Sequence, residues 1–152
     1  MTIHQRRDDY PNPWRIQVRG HPARAQRTSI SWREAIRDAV TDTYPQAPFT
    51  SLPPGSKFTV EVIFRMTPED LDRPAFDLDN FAKPVLDTLF TSQNVSPRLT
   101  GVLLPVNDTW VFRLRLEKVK VTTPEEQGAD ITVTWHPPGT PDLSTASASP
   151  FA

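Results

Sequence analysis

The sequence predicts an α+β fold in a single domain, with one mixed sheet packed against helices. Three observations predict it. Short segments alternate apolar and polar residues at strand period, two stretches carry apolar residues at helical spacing, and Pro-rich connections divide them. A chain of 152 residues fits one compact domain and leaves little room for a second. Its 17 prolines crowd into the termini and connections, so the folded core is expected to be smaller than the chain.

Residues 1–13 are polar, carry Pro11 and Pro13, and read as a disordered N-terminal segment. Trp14, Ile16 and Val18 alternate with polar residues, which predicts a first strand over 14–19 that stops at Gly20. A basic loop follows over 20–30. Ser31 with Glu34 forms a capping-box pattern and opens a helix whose face carries Trp32, Ala35, Ile36, Ala39 and Val40, ended by Pro45. After a Pro-rich loop over 45–56, Phe58, Val60, Val62 and Phe64 alternate in a second strand, expected to be central.

Residues 67–76 read as a polar connection. A second helix is expected from Asp79 or Asn80, both good N-cap types, with Phe81, Val85, Leu86, Leu89 and Phe90 on one face. Pro84 has no N–H to give, so it should lie in or near the first turn. A long connection over 91–106 leads to Trp110, Phe112, Leu114 and Leu116, which alternate strictly, after which Val119 and Val121 change parity. That change predicts a bulge near Glu117. Ile131, Val133 and Trp135 mark the last strand, expected to form an antiparallel hairpin with the one before it. The expected order is β-α-β-α-β-β over residues 14–135, followed by a disordered Pro/Ser/Thr/Ala tail over 136–152. Each of the four tryptophans falls on the apolar phase of its element and is read as core.

Composition excludes several chemistries. There are no cysteines, so disulfides, thiolate catalysis and zinc–sulfur centres are out. The three histidines are scattered, which suits no zinc site. No signal-peptide pattern and no apolar run of membrane-spanning length is present, so a cytoplasmic protein with no membrane association is expected. Motifs of serine hydrolases, P-loop proteins and dinucleotide-binding folds are absent. Net charge is −1, yet residues 1–40 hold eight arginines against four acids. A basic N-terminal region beside an acidic centre suits a polyanion held against a metal.

That acidic centre is Phe76-Asp77-Leu78-Asp79-Asn80-Phe81-Ala82-Lys83. Were the segment extended, Asp77 and Asp79 would point the same way and could converge on one hard cation such as Mg²⁺. Lys83, one turn on, could neutralise charge on a phosphoryl oxygen. The alternative on spacing alone is a helix cap at Asp79 or Asn80 with Asp77 solvated. An EF-hand loop counted from Asp77 fails, because Ala82 stands where Gly is required and Thr88 where the bidentate Glu belongs.

The run from Asp77 to Leu89, D-x-D-N-x-x-K-x-x-x-D-x-L, resembles the signature of RusA-type Holliday junction resolvases. Asn107-Asp108 with the alternating strand to Lys118 is similar to the family's next motif, and Gly20-His21-Pro22 with the arginines after it is similar to its opening. The resemblance covers roughly residues 14–135. It implies a homodimeric, Mg²⁺-dependent structure-specific DNA endonuclease, with Mn²⁺ as a substitute ion, acting on four-way junctions in recombination and repair. It implies Asp77, Asp79 and Asp108 as metal ligands, Lys83 as the catalytic lysine, Asn80 and Asp87 as accessory groups, and Arg19, Arg24 and Arg27 as contacts to the DNA backbone. Three departures are present: Asn107 stands where the family has an acid, the connection to Asp108 is longer, and the sequence pI of about 6.3 is low for a junction binder. The first two motivate an inactive DNA-binding or regulatory protein on the same scaffold as an alternative. The shared metal chemistry leaves a nuclease for other branched or single-stranded DNA as another.

Overall fold

The computed structural model describes residues 12–23, 29–44, 52–71, 78–90 and 106–139. In chain order the elements are β1 (Trp14–Arg19), α1 (Ser29–Thr43), β2 (Lys57–Met66), the single-turn α2 (Pro68–Leu71), α3 (Leu78–Leu89), β3 (Val111–Lys120) and β4 (Gly128–His136). Short 3₁₀ turns over Asp108–Trp110 and Pro124–Glu126 precede the last two strands. The fold is mixed α+β, one four-stranded sheet with three helices. Sheet order is β1-β4-β2-β3. β4 pairs antiparallel with both β1 and β2, and β3 pairs parallel with β2.

Alternation decides which face is buried. Trp14, Ile16 and Val18 of β1, the even-numbered residues of β2 from Phe58 to Met66, and Ala129, Ile131, Val133 and Trp135 of β4 all bury toward one side. α1 covers that side with Trp32, Ile36 and Val40, and α3 with Phe81, Val85 and Leu89. Each such side chain is worth about 2 kcal/mol relative to exposure. Two aromatic pairs set the direction of α3. Phe81 packs on Phe64 at 5.5 Å between centroids and Phe90 on Phe58 at 5.7 Å, so α3 runs antiparallel to β2. Three tryptophans are core as expected, and Trp110 packs at its margin.

Several expectations are corrected. β3 and β4 are not a hairpin: β2 lies between them, and β4 pairs antiparallel with β1 and β2. The bulge falls at Phe112, where the register steps from Phe58↔Val111 to Thr59↔Arg113, and pairing then runs unbroken past Glu117 to Lys120. The Val119 parity change is therefore an edge-strand surface pattern. α2 stands inside the expected 67–76 connection. α1 begins two residues before Ser31, which sits in its first turn and not at its cap. Pro84 is the seventh residue of α3, past the first turn, at the cost of one bond of the helix ladder. His136, expected to open the tail, ends β4. The segments 1–11 and 140–152 lie outside the described residues. No described helix is long and apolar enough to cross a membrane.

Polar clamps close the end of the sheet where β2 finishes. Arg65 extends across β4 from β2, pairs with Asp130, and donates to the carbonyls of Val18 (2.9 Å) and Glu126 (2.9 Å). It passes over Gly128, whose φ of +154° is open to glycine and whose missing Cβ would collide with the Val18 carbonyl and the Arg65 guanidinium. Beside it, the buried Asp70 of α2 accepts from Gln127 Nε2 (3.3 Å) and meets His21 Nε2 at 2.7 Å. At the opposite end, the Asn12 side chain makes two bonds to the Trp135 backbone, extending the β1–β4 ladder.

Gly128→Ala should lower stability by about 2–4 kcal/mol in urea denaturation, because strain and loss of the Arg65 clamp act together. Wild-type stability in that variant would contradict the crossing. His136 contacts Thr59 Oγ1 at 2.9 Å. Burial first, and then the charge of Arg113, hold its imidazole below the ordinary 6.5. A depressed histidine contributes stability present above 6.5 and lost as pH falls toward the folded value. Urea midpoints should therefore decline below that pH, and His136→Gln should flatten the slope.

Candidate active site

One face of α3 does not enter the core. Asp79, Ala82, Lys83, Leu86 and Asp87 recur at spacings of three, one, three and one, so they share a single stripe of the helix. That stripe looks across a cleft of about 290 Å³ to Asp108, Leu114 and Leu116. The cleft has apolar walls, formed by Leu86, Leu114 and Leu116, and a rim carrying three carboxylates and one ammonium. A floor of that kind lowers the local dielectric and strengthens every charge interaction above it.

Asp108 reaches the cleft through local structure. Asn107 caps the 3₁₀ turn Asp108–Trp110, its side-chain oxygen accepting from the Thr109 N–H at 2.9 Å. Asn107, which replaces the expected acid, thus has a positioning role that an amide serves without adding charge. The turn precedes Val111, the partner of Phe58, and Phe58 carries Phe90 at the far end of α3. Asp108 consequently belongs to the Asp87 end of the cleft. Asp79 stands two turns away, about 12 Å along the helix.

Asp87 is held from two sides. Its carboxylate lies 3.8 Å from Lys83 Nζ, one turn back. Its carbonyl accepts from Arg33 Nη2 of α1 at 3.5 Å, while Arg33 Nε donates to Thr88 Oγ1 at 3.1 Å. The fully buried Thr88 hydroxyl in turn donates to the Pro84 carbonyl at 2.7 Å. Arg33 and Thr88 are therefore what fixes α1 against α3 behind the cleft. The helical pattern treats Thr88 as an ordinary core position, so reading the sequence had no signal for this link.

Of the expected site residues, Asp79, Lys83, Asp87 and Asp108 line one cleft. Asp79 and Asn80 are exposed and lie inside the first turn of α3, not at its cap and not in an extended segment. Asp79 therefore follows helical periodicity, which sets it on the same stripe as Asp87. Asp77, Arg24 and Arg27 lie outside the described residues. Arg19 is exposed on the helix-free face of the sheet, the side opposite the cleft, because Val18 beside it points to the helices. Lys118, matched to the basic end of the second motif, donates to the Leu71 carbonyl at 3.2 Å and ties α2 to β3. Among the described residues no group of three or more acids or histidines is close enough to hold a metal ion.

Thr88→Val keeps the side-chain volume and removes both hydrogen bonds, leaving Arg33 without its hydroxyl acceptor. It should cost about 1–3 kcal/mol of stability by chemical denaturation. An unchanged midpoint would show that the α1–α3 link does not need this hydroxyl.

Comparison with protein-family models and with characterised proteins finds no match to this chain, so the chemistry rests on the residues themselves.

Proposed function

We propose that the chain is a Mg²⁺-dependent DNA endonuclease of RusA-like character, acting on four-way junctions. The observation that carries the reading is that Asp79, Lys83, Asp87 and Asp108, from two segments about twenty residues apart or more, line a single open cleft. Asp79, Lys83 and Asp87 of the D-x-D-N-x-x-K-x-x-x-D pattern thus share one stripe of α3 that faces the cleft.

Hard carboxylate oxygens beside an open, water-accessible cleft suit Mg²⁺, which keeps several of its waters and needs one or two protein carboxylates. The resemblance implies Asp77, Asp79 and Asp108 as the residues that would hold it. Asp108 belongs to the Asp87 end of the cleft, about 12 Å along the helix from Asp79. A single ion would be shared by both only after Asp108 and Asp79 draw together. When bound, the ion supplies a water of lowered pKa and screens the charge that develops on the phosphate. Lys83, 68% exposed, can leave Asp87 and place its ammonium against a non-bridging phosphate oxygen. Asp87 is then the resting counter-ion that orients Lys83. The resemblance implies Arg24 and Arg27 as grips on backbone phosphates, giving affinity without sequence information. Arg19, on the face opposite the cleft, would reach only DNA that passes behind the sheet.

Asp79→Asn and Asp108→Asn should each reduce Mg²⁺-dependent nicking of a synthetic four-way junction by about a hundredfold or more while leaving junction binding intact. Lys83→Met should slow nicking and leave metal affinity unchanged. Intact junctions with well-folded wild type would sink the proposal. A panel of junction, flap, duplex and single strand identifies the preferred substrate. A second reading, DNA binding without cleavage, is favoured by the spread of the carboxylates along α3, with no three described acids converging. It predicts salt-sensitive junction binding and no heat of Mg²⁺ binding by calorimetry.

A further inference from the structure

α1 and α3 pack on the same face of the sheet, and the side chains of the other face are exposed or half-buried. Strand register sets out that open face. Thr132 and Thr134 of β4, with Thr59 and Ile63 of β2, form its middle. Cations stand along both edges, Arg15 and Arg19 on β1 and Arg113 and Arg115 on β3. Lys57 and Arg65 of β2 bring the cations to six, against three carboxylates, Glu61, Glu117 and Asp130. Two of the three are already answered, Asp130 by Arg65 and Glu61 by Arg115 at 3.7 Å. Arg15, Arg19 and Arg113 have no ion-pair partner among the described residues. A solvated face needs no excess of either sign, and the whole chain carries −1. Positive charge is therefore sorted onto this face. Its potential reaches inward: after burial, Arg113 is what holds the His136 imidazole below its ordinary value. At one corner the bulged Phe112 is 56% exposed, with Lys57 Nζ 4.6 Å from its ring centroid.

We propose that this helix-free face binds single-stranded nucleic acid, with phosphates on the two arginine edges and bases on the threonine floor and Phe112. The edges lie three strand spacings apart, about 14 Å, with a neutral floor between them. A duplex keeps its base edges in grooves that a helix or a two-stranded ribbon must enter. A flat sheet face cannot enter them and would reach only phosphates. A single strand presents phosphates and unstacked bases together, so it alone uses both the charge and the apolar corner. Threonine hydroxyls donate as well as accept, which suits any base and reads none in particular. Phe112 offers a ring to one base, and ring stacking is equally tolerant of sequence. Arg19, which points away from the cleft, has its use here. The face and the cleft lie on opposite sides of the sheet, so this binding does not depend on the cleft being a nuclease centre.

The test uses the full chain with EDTA present, so that metal-dependent nicking is silent and the two readings fail separately. Fluorescence anisotropy with a labelled oligodeoxythymidine should show binding that weakens as salt rises. The same strand annealed to its complement should bind about tenfold less tightly. Arg15→Ala and Arg113→Ala should each lower affinity about fivefold and reduce the salt slope by about 0.7. Phe112→Ala should weaken binding about tenfold and leave the salt slope unchanged, since stacking releases no counter-ions. Circular dichroism should show all three variants folded, because the three side chains are exposed. Photocrosslinks from 4-thiothymidine in the bound strand should map to β1, to β3 or to Phe112. No binding at low salt, equal affinity for the duplex, salt slopes indifferent to both arginines, or crosslinks confined to the cleft would overturn the proposal.

Discussion

The parallel pairing of β2 with β3 is the constraint on which the remaining architecture depends. Two parallel neighbours cannot be joined by a tight turn, so the chain must cross from one end of the sheet to the other between them. α3 lies on that crossover, and its apolar stripe is seated by Phe81 on Phe64 and Phe90 on Phe58. With its apolar side committed to the sheet, the opposite stripe of Asp79, Lys83 and Asp87 has one place to go, the gap beside β3. The start of β3 then delivers Asp108 to the same gap. The candidate site is in this sense a by-product of strand order: moving β3 beside β4 would leave these acids on separate surfaces.

Polar interactions are placed where the sheet and helices would otherwise slip. Arg65 joins three strands at one end through a passage that requires the absence of a side chain at Gly128. His21 and Gln127 converge on the buried Asp70 at the same end, and Arg33 with Thr88 holds the two long helices together. Each of these contacts joins residues far apart in sequence, so each fixes tertiary geometry and not local structure. They also leave the cleft's own charges nearly unencumbered: the Lys83–Asp87 contact is long and largely exposed, and exposed pairs of this kind contribute little to stability.

Much of this was legible in the residues. Period-two alternation identified all four strands and the buried face of each inner one, since a one-residue slip would turn Val60 or Ile131 to solvent. Helical spacing likewise identified α1 and α3. The pairing of strands was not legible, because β3 reads as half-buried alternation whether it lies in a hairpin or at a parallel edge. The single-turn α2 escaped because Pro68-Glu69-Asp70-Leu71 is too short to show periodicity. Asp87 joins Asp79 on one stripe for a related reason. An extended reading pairs positions two apart, whereas the helix pairs positions four apart, and Asp79 is helical.

By itself, then, the sequence determined the elements, the apolar faces and the identity of most of the candidate site residues, because those properties are periodic and local. Only the tertiary structure decided that β3 runs parallel at the sheet's edge, that Asn107 serves as a cap for the turn bearing Asp108, and that Arg33 and Thr88 support the site from behind. Such features arise from contacts between segments tens of residues apart, whose free energy depends on fit in three dimensions and leaves no period in the chain.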